Sequence, residues 1–187
     1  MENQIKKAID NNIDTAKKML KETKAIAKIA KAITDCLKSG GKILICGNGG
    51  SAADAQHMAA ELVGRFKKDR EALAAVSLTT DTSIITAVGN DFGVEYIFSK
   101  QIEAIGKPKD NLILISTSGN SQNLINAAKT ACALDIKTIG ILGKNGGKLE
   151  NKVDIHITVD SADTARIQEM HGLIIHIICE IIEGSIG

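Results

Sequence analysis

Two pairs of side chains that bind metals or transfer protons occur at helical spacing in this sequence. His57 and Glu61 are four residues apart, and Gln168 and His176 are eight apart, so the members of each pair point toward one face of a predicted helix. Two imidazole nitrogens, a carboxylate and an amide oxygen suit Zn²⁺ or a similar divalent ion. Alternatively, Glu61 and His176 could act as an acid–base pair. A surface His–Glu pair and a core histidine remain open, because spacing alone does not bring residues 57 and 176 together.

A second candidate site is the segment 116–121, which reads STSGNS and follows a predicted strand. Its hydroxyl groups can donate to phosphate oxygens, and Gly119 allows close backbone approach. The hydroxyls belong to Ser116, Thr117, Ser118 and Ser121. The following helix directs the positive end of its dipole at this segment. A plain helix cap needs one such hydroxyl, so we expect a phosphate site.

The segment 47–52 is rich in glycine and joins a predicted strand to a predicted helix. Gly47, Gly49 and Ala52 fit the G-x-G-x-x-G/A pattern of dinucleotide sites. Such a site needs an acidic residue after the second strand, about 20 residues on, to bind ribose. Asp81 is too distant and is typical of a helix N-cap. We therefore expect backbone N–H groups here to bind a smaller ligand, with a turn that binds nothing as the alternative.

Apolar runs alternate with helical patterns after residue 41. The predicted strands are Lys42–Cys46, Leu73–Leu78, Leu112–Ser116, Lys137–Leu142 and Val153–Val159. The predicted helices are Ser51–Gly64, Asp81–Val88, Phe92–Ile105, Ser121–Leu134 and Thr164–Glu183. This alternation predicts an α/β fold, a three-layer sandwich with a central five-stranded parallel sheet. Ligands of such sheets bind beyond the carboxyl ends of the strands, where the segments 47–51 and 116–121 both lie.

Residues 1–38 contain no glycine or proline and predict an N-terminal helical arm. One stripe recurs at helical spacing, and it comprises Ile9, Ile13, Ala16, Leu20, Thr23, Ala27 and Ala30. The other faces are rich in lysine, which favours a solvated surface over a nucleic-acid site. A helix of this length usually buries its apolar stripe, so we expect the arm to form a subunit interface. We interpret residues 1–187 as a single domain that includes this arm.

The composition excludes several functional classes. The formal net charge is +1 and aromatic residues are 2% of the chain, which weighs against nucleic acid or anionic membrane as partners. No segment has about 18 consecutive apolar residues, and the N-terminus does not resemble a signal peptide, so we expect a cytoplasmic protein. The four cysteines have no metal-site spacing and are expected to be buried free thiols.

Four segments together resemble the motifs of phosphoheptose isomerases, in the sugar isomerase (SIS) domain family. They are CGNGGSAADAQHMAAELVGRF at 46–66, VGNDFG at 88–93, ISTSGNS at 115–121 and ARIQEMHGLIIHIICEIIE at 165–183. The resemblance covers essentially the whole chain. It implies a flavodoxin- or Rossmann-like SIS topology and a homotetramer. The implied reaction converts sedoheptulose 7-phosphate to D-glycero-D-manno-heptose 7-phosphate, the first step toward ADP- or GDP-heptose for bacterial surface polysaccharide.

The resemblance also implies a role for each matching residue. The expected sugar contacts are Asn48, Gly49, Gly50, Asn90 and Asp91, and the expected phosphate contacts are Ser116, Thr117, Ser118 and Ser121. The expected ligands of one zinc ion per subunit are His57, Glu61, Gln168 and His176, of which Glu61 and Gln168 also touch substrate. Glu61 is the candidate base that forms a cis-enediol, and His176 is the candidate shuttle for the oxygen-bound proton. A zinc-bound nitrogen of His176 cannot carry that proton, so either the metal or His176 acts as the electrophile.

Two other functions remain as alternatives. One is a non-catalytic SIS scaffold that associates with the bacterial replication initiator, a group in which the positions of Glu61 and His176 do not hold the acid and the imidazole. The other is an SIS isomerase for a different phosphosugar, a group that generally lacks the four candidate metal ligands. The presence of Glu61 and His176 in this sequence favours the heptose isomerase.

Overall fold

Five parallel strands form one sheet in the computed structural model, which describes residues 1–186. The strands are β1 (Ile43–Gly47), β2 (Ala75–Ser77), β3 (Asn111–Ser116), β4 (Lys137–Gly143) and β5 (Ile155–Val159). They pair in the order β2-β1-β3-β4-β5, which is a doubly wound, flavodoxin-like order. The predicted α/β fold with five parallel strands is therefore confirmed.

Seven α-helices surround the sheet. They are α1 (Glu2–Met19), α2 (Thr23–Lys38), α3 (Gly50–Val63), α4 (Thr82–Asp91), α5 (Ser99–Ile105), α6 (Gln122–Ala133) and α7 (Thr164–Ile186). Short 3-10 turns lie at Leu20–Glu22, Val94–Tyr96 and Glu150–Lys152. None of the helices within residues 1–186 combines the length and the hydropathy that a bilayer span requires.

Both faces of the sheet are buried, as the continuous apolar strands predict. In β1, Ile43 and Ile45 pack with α2, α3 and α7, whereas Leu44 and Cys46 pack on the opposite face with α5 and α6. This alternation follows from the two-residue repeat of a strand. The two apolar clusters therefore form the two interfaces of a three-layer sandwich.

The register of the strands brings the two glycine-containing segments together. Gly47 in β1 pairs with Ile115 in β3, so both strands end at the same edge of the sheet. The chain after Gly47 enters α3, and the chain after Ser116 leads to α6. The loops that the sequence singled out are therefore neighbours.

Two predicted elements are shorter than expected. The predicted helix Phe92–Ile105 is interrupted, because Gly93 adopts φ +103° and starts a separate 3-10 turn before α5. The predicted strand Leu73–Leu78 retains only Ala75–Ser77, at the edge of the sheet, where β2 pairs with β1 alone. Asp81 caps α4 as predicted, because its carboxylate accepts the N–H of Ile84.

The arm packs on the sheet with a face other than the predicted stripe. Met19, Ile26, Ile29 and Ile33 are buried in the core, together with Ala30. Other members of the predicted stripe point away from the core and are exposed, namely Ile9, Ile13 and Leu20. The 3-10 turn at Leu20–Glu22 separates α1 from α2, so one continuous helical period does not describe both. Of the cysteines, Cys132 is exposed, contrary to expectation, and the other three are buried free thiols.

Candidate active site

A small polar cleft lies between the carboxyl ends of β1 and β3. Its volume is about 80 Å³, and Ile115 forms its apolar wall. The polar lining consists of Asn48, Ser51, Ser116, Thr117, Ser118 and Ser121. Of these, Ser51 was not predicted. The cleft thus joins the first turn of α3 to the segment 116–121, at the edge where doubly wound folds bind their ligands.

The hydroxyls of this cleft do not all have the same partners. Ser116 Oγ accepts the N–H of Gly119 at 3.0 Å, and Ser118 Oγ accepts the N–H of Asn120 at 3.2 Å. Ser121 occupies the N-cap position of α6, yet its side chain makes no capping hydrogen bond. Its O–H is therefore available to a ligand at the positive end of the α6 dipole. This geometry can bind an anion such as a phosphate group.

Gly119 is required by the shape of this segment. Its φ is +64°, in the left-handed region, and a Cβ atom there would overlap the carbonyl of Gly146. The tight turn keeps the hydroxyl-bearing residues on either side of it at the cleft. A larger residue would displace the loop that begins α6.

Asn123 is a residue of the site that the sequence analysis missed. Its amide pairs reciprocally with that of Asn48, with N···O distances of 2.9 and 2.8 Å between the two side chains. Asn123 is buried in α6, and Asn48 lines the cleft. The pair therefore fixes the amide of Asn48 between the two loops. Nothing in the spacing of residues 48 and 123 indicates this contact.

The second part of the site lies where α3 packs against α7. His57 Nε2 is 3.0 Å from Glu61 Oε1 and 3.2 Å from His176 Nε2. One ligand atom from each of the three side chains lies within 4.8 Å of the others. The fold thus brings residues 57 and 176 together, which the sequence alone left open.

These three side chains fit a divalent metal ion. Ligand atoms about 2.0–2.1 Å from a tetrahedral ion lie about 3.3 Å apart. The measured separations of 3.0 and 3.2 Å between these side-chain atoms are close to that value. Two imidazole nitrogens and a carboxylate oxygen are also donors that zinc accepts.

Gln168, the fourth predicted ligand, lies next to the glycine segment. The Gln168 amide packs closely against Gly50, where a Cβ atom would overlap it unless the side chain moved. The structure therefore brings Gln168 to the start of α3, and in the part of the chain that the structure describes no hydrogen bond joins it to His57, Glu61 or His176. Asn90 and Asp91 end α4, where Asn90 Nδ2 donates to Asp91 Oδ1 at 2.8 Å. Within residues 1–186, no hydrogen bond joins either of them to the cleft.

The two remaining histidines, His171 and His156, lie outside this cluster. His171 is fully buried in α7, and its Nε2 donates to the Leu142 carbonyl at 3.1 Å. Burial lowers the pKa of His171 to about 4, although the bond to the carbonyl opposes this effect. His171 is therefore neutral near pH 7. His156 is exposed and lies 3.4 Å from Glu150.

Comparison with known proteins identifies the family of this chain. The SIS domain model matches residues 6–143. Phosphoheptose isomerase 1 of Campylobacter jejuni is 59% identical over 160 residues, which are 86% of each chain. The chain belongs to the phosphoheptose isomerase family. The sequence motifs predict this family, and the prediction is confirmed.

Further members of the family support the assignment over the full length. A phosphoheptose isomerase of Helicobacter hepaticus is 50% identical over 187 residues, 100% of this chain and 95% of that one. The structure of the phosphoheptose isomerase from Neisseria gonorrhoeae superposes with a TM-score of 0.94 at 43% identity, covering 98% of both chains. The arm and α7 are therefore part of the family fold.

Proposed function

We propose that this protein converts sedoheptulose 7-phosphate to D-glycero-D-manno-heptose 7-phosphate, in the synthesis of activated heptose. Membership of the phosphoheptose isomerase family supports this reaction. The observation that carries the proposal is the contact of His57, on the helix α3 that begins at the cleft rich in hydroxyls, with both Glu61 and His176. Such a site has a proton-transfer group and a phosphate-binding group in one place, as this reaction requires.

The cleft holds the phosphate end of the substrate in this proposal. The O–H of Ser121 and the hydroxyls of Thr117 and Ser118 donate to phosphate oxygens, and the α6 dipole adds attraction. Asn48, Gly49 and Gly50 contact the sugar, and Gln168 reaches it from α7. Asn90 and Asp91 are proposed sugar contacts as well. Binding the phosphate away from the reacting carbons lets its binding energy orient them.

Glu61 performs the proton transfer between carbons. Its carboxylate removes a proton from C1 of the ketose, beside the C2 carbonyl, and the electron pair of that C–H bond forms the C1–C2 double bond of a cis-enediol. The same carboxylate, now protonated, returns a proton to C2 to give the aldose. When no metal binds its Nε2, His176 moves the proton between the two substrate oxygens. The Glu61 carboxylate is only 21% exposed, which limits the access of water during transfer.

We infer that the bound metal is Zn²⁺, one per subunit, held by His57, Glu61, Gln168 and His176. The donor set and the separations of its nitrogen and oxygen atoms support this assignment. When bound by these residues, a divalent ion would polarise a carbonyl oxygen of the substrate and stabilise negative charge on it. When His176 Nε2 binds the metal, that nitrogen cannot carry the substrate proton, and His176 acts as a ligand only.

We further propose that the single domain 1–187 assembles as a homotetramer through its arm, and that the enzyme acts in the cytoplasm. Exposed apolar side chains on α1, among them Ile5, Ile9 and Ile13, support such an interface. No observation favours nucleic acid or membrane as a partner. Nor does one favour the scaffold, because Glu61 and His176 are both present and in one cluster.

The proposal is tested by incubating the purified protein with sedoheptulose 7-phosphate and following the sugar by NMR. We expect an aldoheptose 7-phosphate to appear, its rate to fall after chelation, and Zn²⁺ to restore it. His57→Ala should lose Zn²⁺ in an equilibrium binding assay, whereas His156→Ala, a histidine outside the cluster, should not. Turnover that chelation leaves unchanged contradicts the zinc assignment. Turnover of another phosphosugar alone would contradict the substrate assignment.

A further inference from the structure

Residues 64–71 lie in the connection from α3 to β2 and have no regular secondary structure, yet a buried carboxylate holds part of their backbone. Glu183, near the end of α7, is 2% exposed. Its Oε1 accepts the N–H of Phe66 at 3.1 Å, and its Oε2 accepts the N–H groups of Lys67 and Lys68 at 2.8 and 2.9 Å. Three successive backbone donors on one carboxylate form an anion-binding arrangement, here occupied by a side chain of the same chain.

Arg70 completes this arrangement. Its guanidinium Nε lies 3.3 Å from Glu183 Oε1, and both side chains are buried. Arg70 also donates to the carbonyls of Glu61 and Leu62, at 2.8 and 2.9 Å, near the C-terminal end of α3. The Glu183–Arg70 pair thus connects the helix that carries His176 to the end of the helix that carries Glu61.

Glu183 stays charged in this environment. Burial alone would raise the pKa of Glu183, but the three backbone N–H groups and the Arg70 guanidinium together lower it below its ordinary value. The cost of burying a charged carboxylate is offset only while its hydrogen-bond and ion-pair partners remain in place. The backbone of Phe66, Lys67 and Lys68 is therefore held firmly at this position.

The segment that Glu183 holds contacts His176 directly. The ring of Phe66 stacks on the imidazole of His176, with centroids 5.5 Å apart and planes inclined by 29°. On another side, His57 meets the same imidazole edge-on, at a centroid distance of 4.9 Å. These two rings restrict the rotation of His176, and only the Phe66 ring depends on the segment 64–71.

We propose that Glu183 is a positioning residue for the isomerase reaction, because it holds Phe66 against His176 and so orients the imidazole toward His57 and Glu61. Glu183 touches neither the cleft nor the three side chains His57, Glu61 and His176, so its effect passes through Phe66. The kinetic part of this inference depends on the proposed isomerase function. The orientation of the His176 ring can be measured without it.

Glu183→Gln tests the proposal. The amide has the same shape as the carboxylate, but one of its two polar groups is an N–H₂ donor, which cannot accept the backbone N–H groups that the carboxylate oxygen accepts. Glu180→Gln is the matched control, since Glu180 is exposed on the same helix and pairs with Lys67 Nζ at 2.8 Å. The imidazole C–H resonances of His176 report its contact with the Phe66 ring. Phe66→Leu removes that ring and leaves Glu183 intact, so it defines the shift that the proposal predicts.

We expect Glu183→Gln to move the His176 resonances in the direction seen for Phe66→Leu, and to leave those of His156 unchanged. Both variants should lower kcat by about 10- to 100-fold, with KM changed by less than about threefold, because a misplaced catalytic group costs rate. Glu180→Gln should match the wild type in both measurements. If Glu183→Gln only lowers the melting temperature, with His176 resonances and kcat unchanged, its role is structural and the proposal is wrong.

Phe66→Leu also decides the case in which Glu183→Gln does not fold. An unchanged kcat in folded Phe66→Leu overturns the proposal, and a decreased kcat with an unchanged KM supports it. If the wild type shows no isomerase activity, the proposed function fails, while the His176 resonances of Glu183→Gln or Phe66→Leu still show whether the segment orients the ring.

Discussion

Ser116 and Ser121 carry the same hydroxyl group but use it differently. The Ser116 oxygen accepts the N–H of Gly119 inside the buried loop, whereas the Ser121 hydroxyl caps no helix and lines the cleft. A hydrogen bond to a charged group is worth about 1.5–3 kcal/mol, so its loss weakens binding about 10- to 100-fold. We therefore expect Ser121→Ala to raise KM by that factor and to change the melting temperature by less than about 2 °C.

Ser116→Ala is the comparison for this prediction. It leaves the N–H of Gly119 without its acceptor in a buried loop, so it should lower the melting temperature as well as raise KM. Steady-state kinetics and thermal unfolding of both variants separate the two roles. Equal loss of stability in the two variants would contradict the assignment of Ser121 as a ligand-binding hydroxyl.

The sequence reveals the residues of the site more readily than their contacts. Ser121 belongs to the hydroxyl-rich segment 116–121, which predicts a phosphate site. Glu61 belongs to a histidine–glutamate pair at helical spacing, which predicts an acid–base group. Both patterns lie within a few residues of sequence. The contact between Asn48 and Asn123 joins residues 75 positions apart, and no local pattern indicates it. Similarly, the contact between His57 and His176 exists only because α3 packs on α7.

At the level of elements, His171 links α7 to the sheet through the Leu142 carbonyl of β4. Its folded-state pKa of about 4 lies below the ordinary value of 6.5, so the unfolded chain binds a proton that the folded chain does not. Stability from this neutral histidine is complete above pH 6.5 and is lost as pH falls toward 4. The expected loss is about 3 kcal/mol of the free energy of unfolding.

His171→Phe checks this prediction, because phenylalanine fills the space and does not titrate. At pH 8 the variant should be less stable, since the Leu142 carbonyl loses its donor. The free energies of unfolding of the two proteins, measured with urea, should converge as the pH falls from 8 to 4.5. The wild type is destabilised over this range because His171 resists protonation in the folded state. If the free energies of unfolding of the two proteins changed in parallel over that pH range, His171 would not be the group that destabilises the wild type at low pH.

Tertiary packing also explains which predicted elements changed. The strands β1, β3 and β4 are central and apolar, and their patterns predict them within one or two residues. The edge strand β2 shrinks to three residues because it has one neighbour, and Gly93 interrupts a helix that periodicity alone would continue. In the arm, both faces of α1 carry apolar side chains, so the pattern does not decide which face packs on the core.

At the level of the whole molecule, the stripe of α1 that faces away from the core is the feature that a partner subunit would cover. Ile9 and Ile13 are 55% and 44% exposed, so replacing both with glutamate should spare the core of the protomer. We expect the wild type to sediment at four times the chain mass of 19.8 kDa and the double variant to sediment as a smaller species. Lys6→Glu is the control, since it makes the same change of two charge units on an exposed lysine.

Sedimentation velocity of these proteins, together with circular dichroism, decides the question. The variant should keep its helical signal, because Ile9 and Ile13 do not belong to the buried core of the protomer. A wild-type monomer, or a double variant with unchanged sedimentation, would contradict an interface formed by this stripe.

The measurement that tests the central claim most directly is the reaction of sedoheptulose 7-phosphate in D₂O, followed by NMR, with wild type and Glu61→Gln. The proton on the Glu61 carboxyl exchanges with solvent in competition with its return to C2, so we predict partial incorporation of deuterium at C2 of the aldoheptose phosphate from the wild type. Glu61→Gln lacks the base and should lose at least about 10²-fold in kcat. A Glu61→Gln enzyme as fast as the wild type would contradict proton transfer by Glu61.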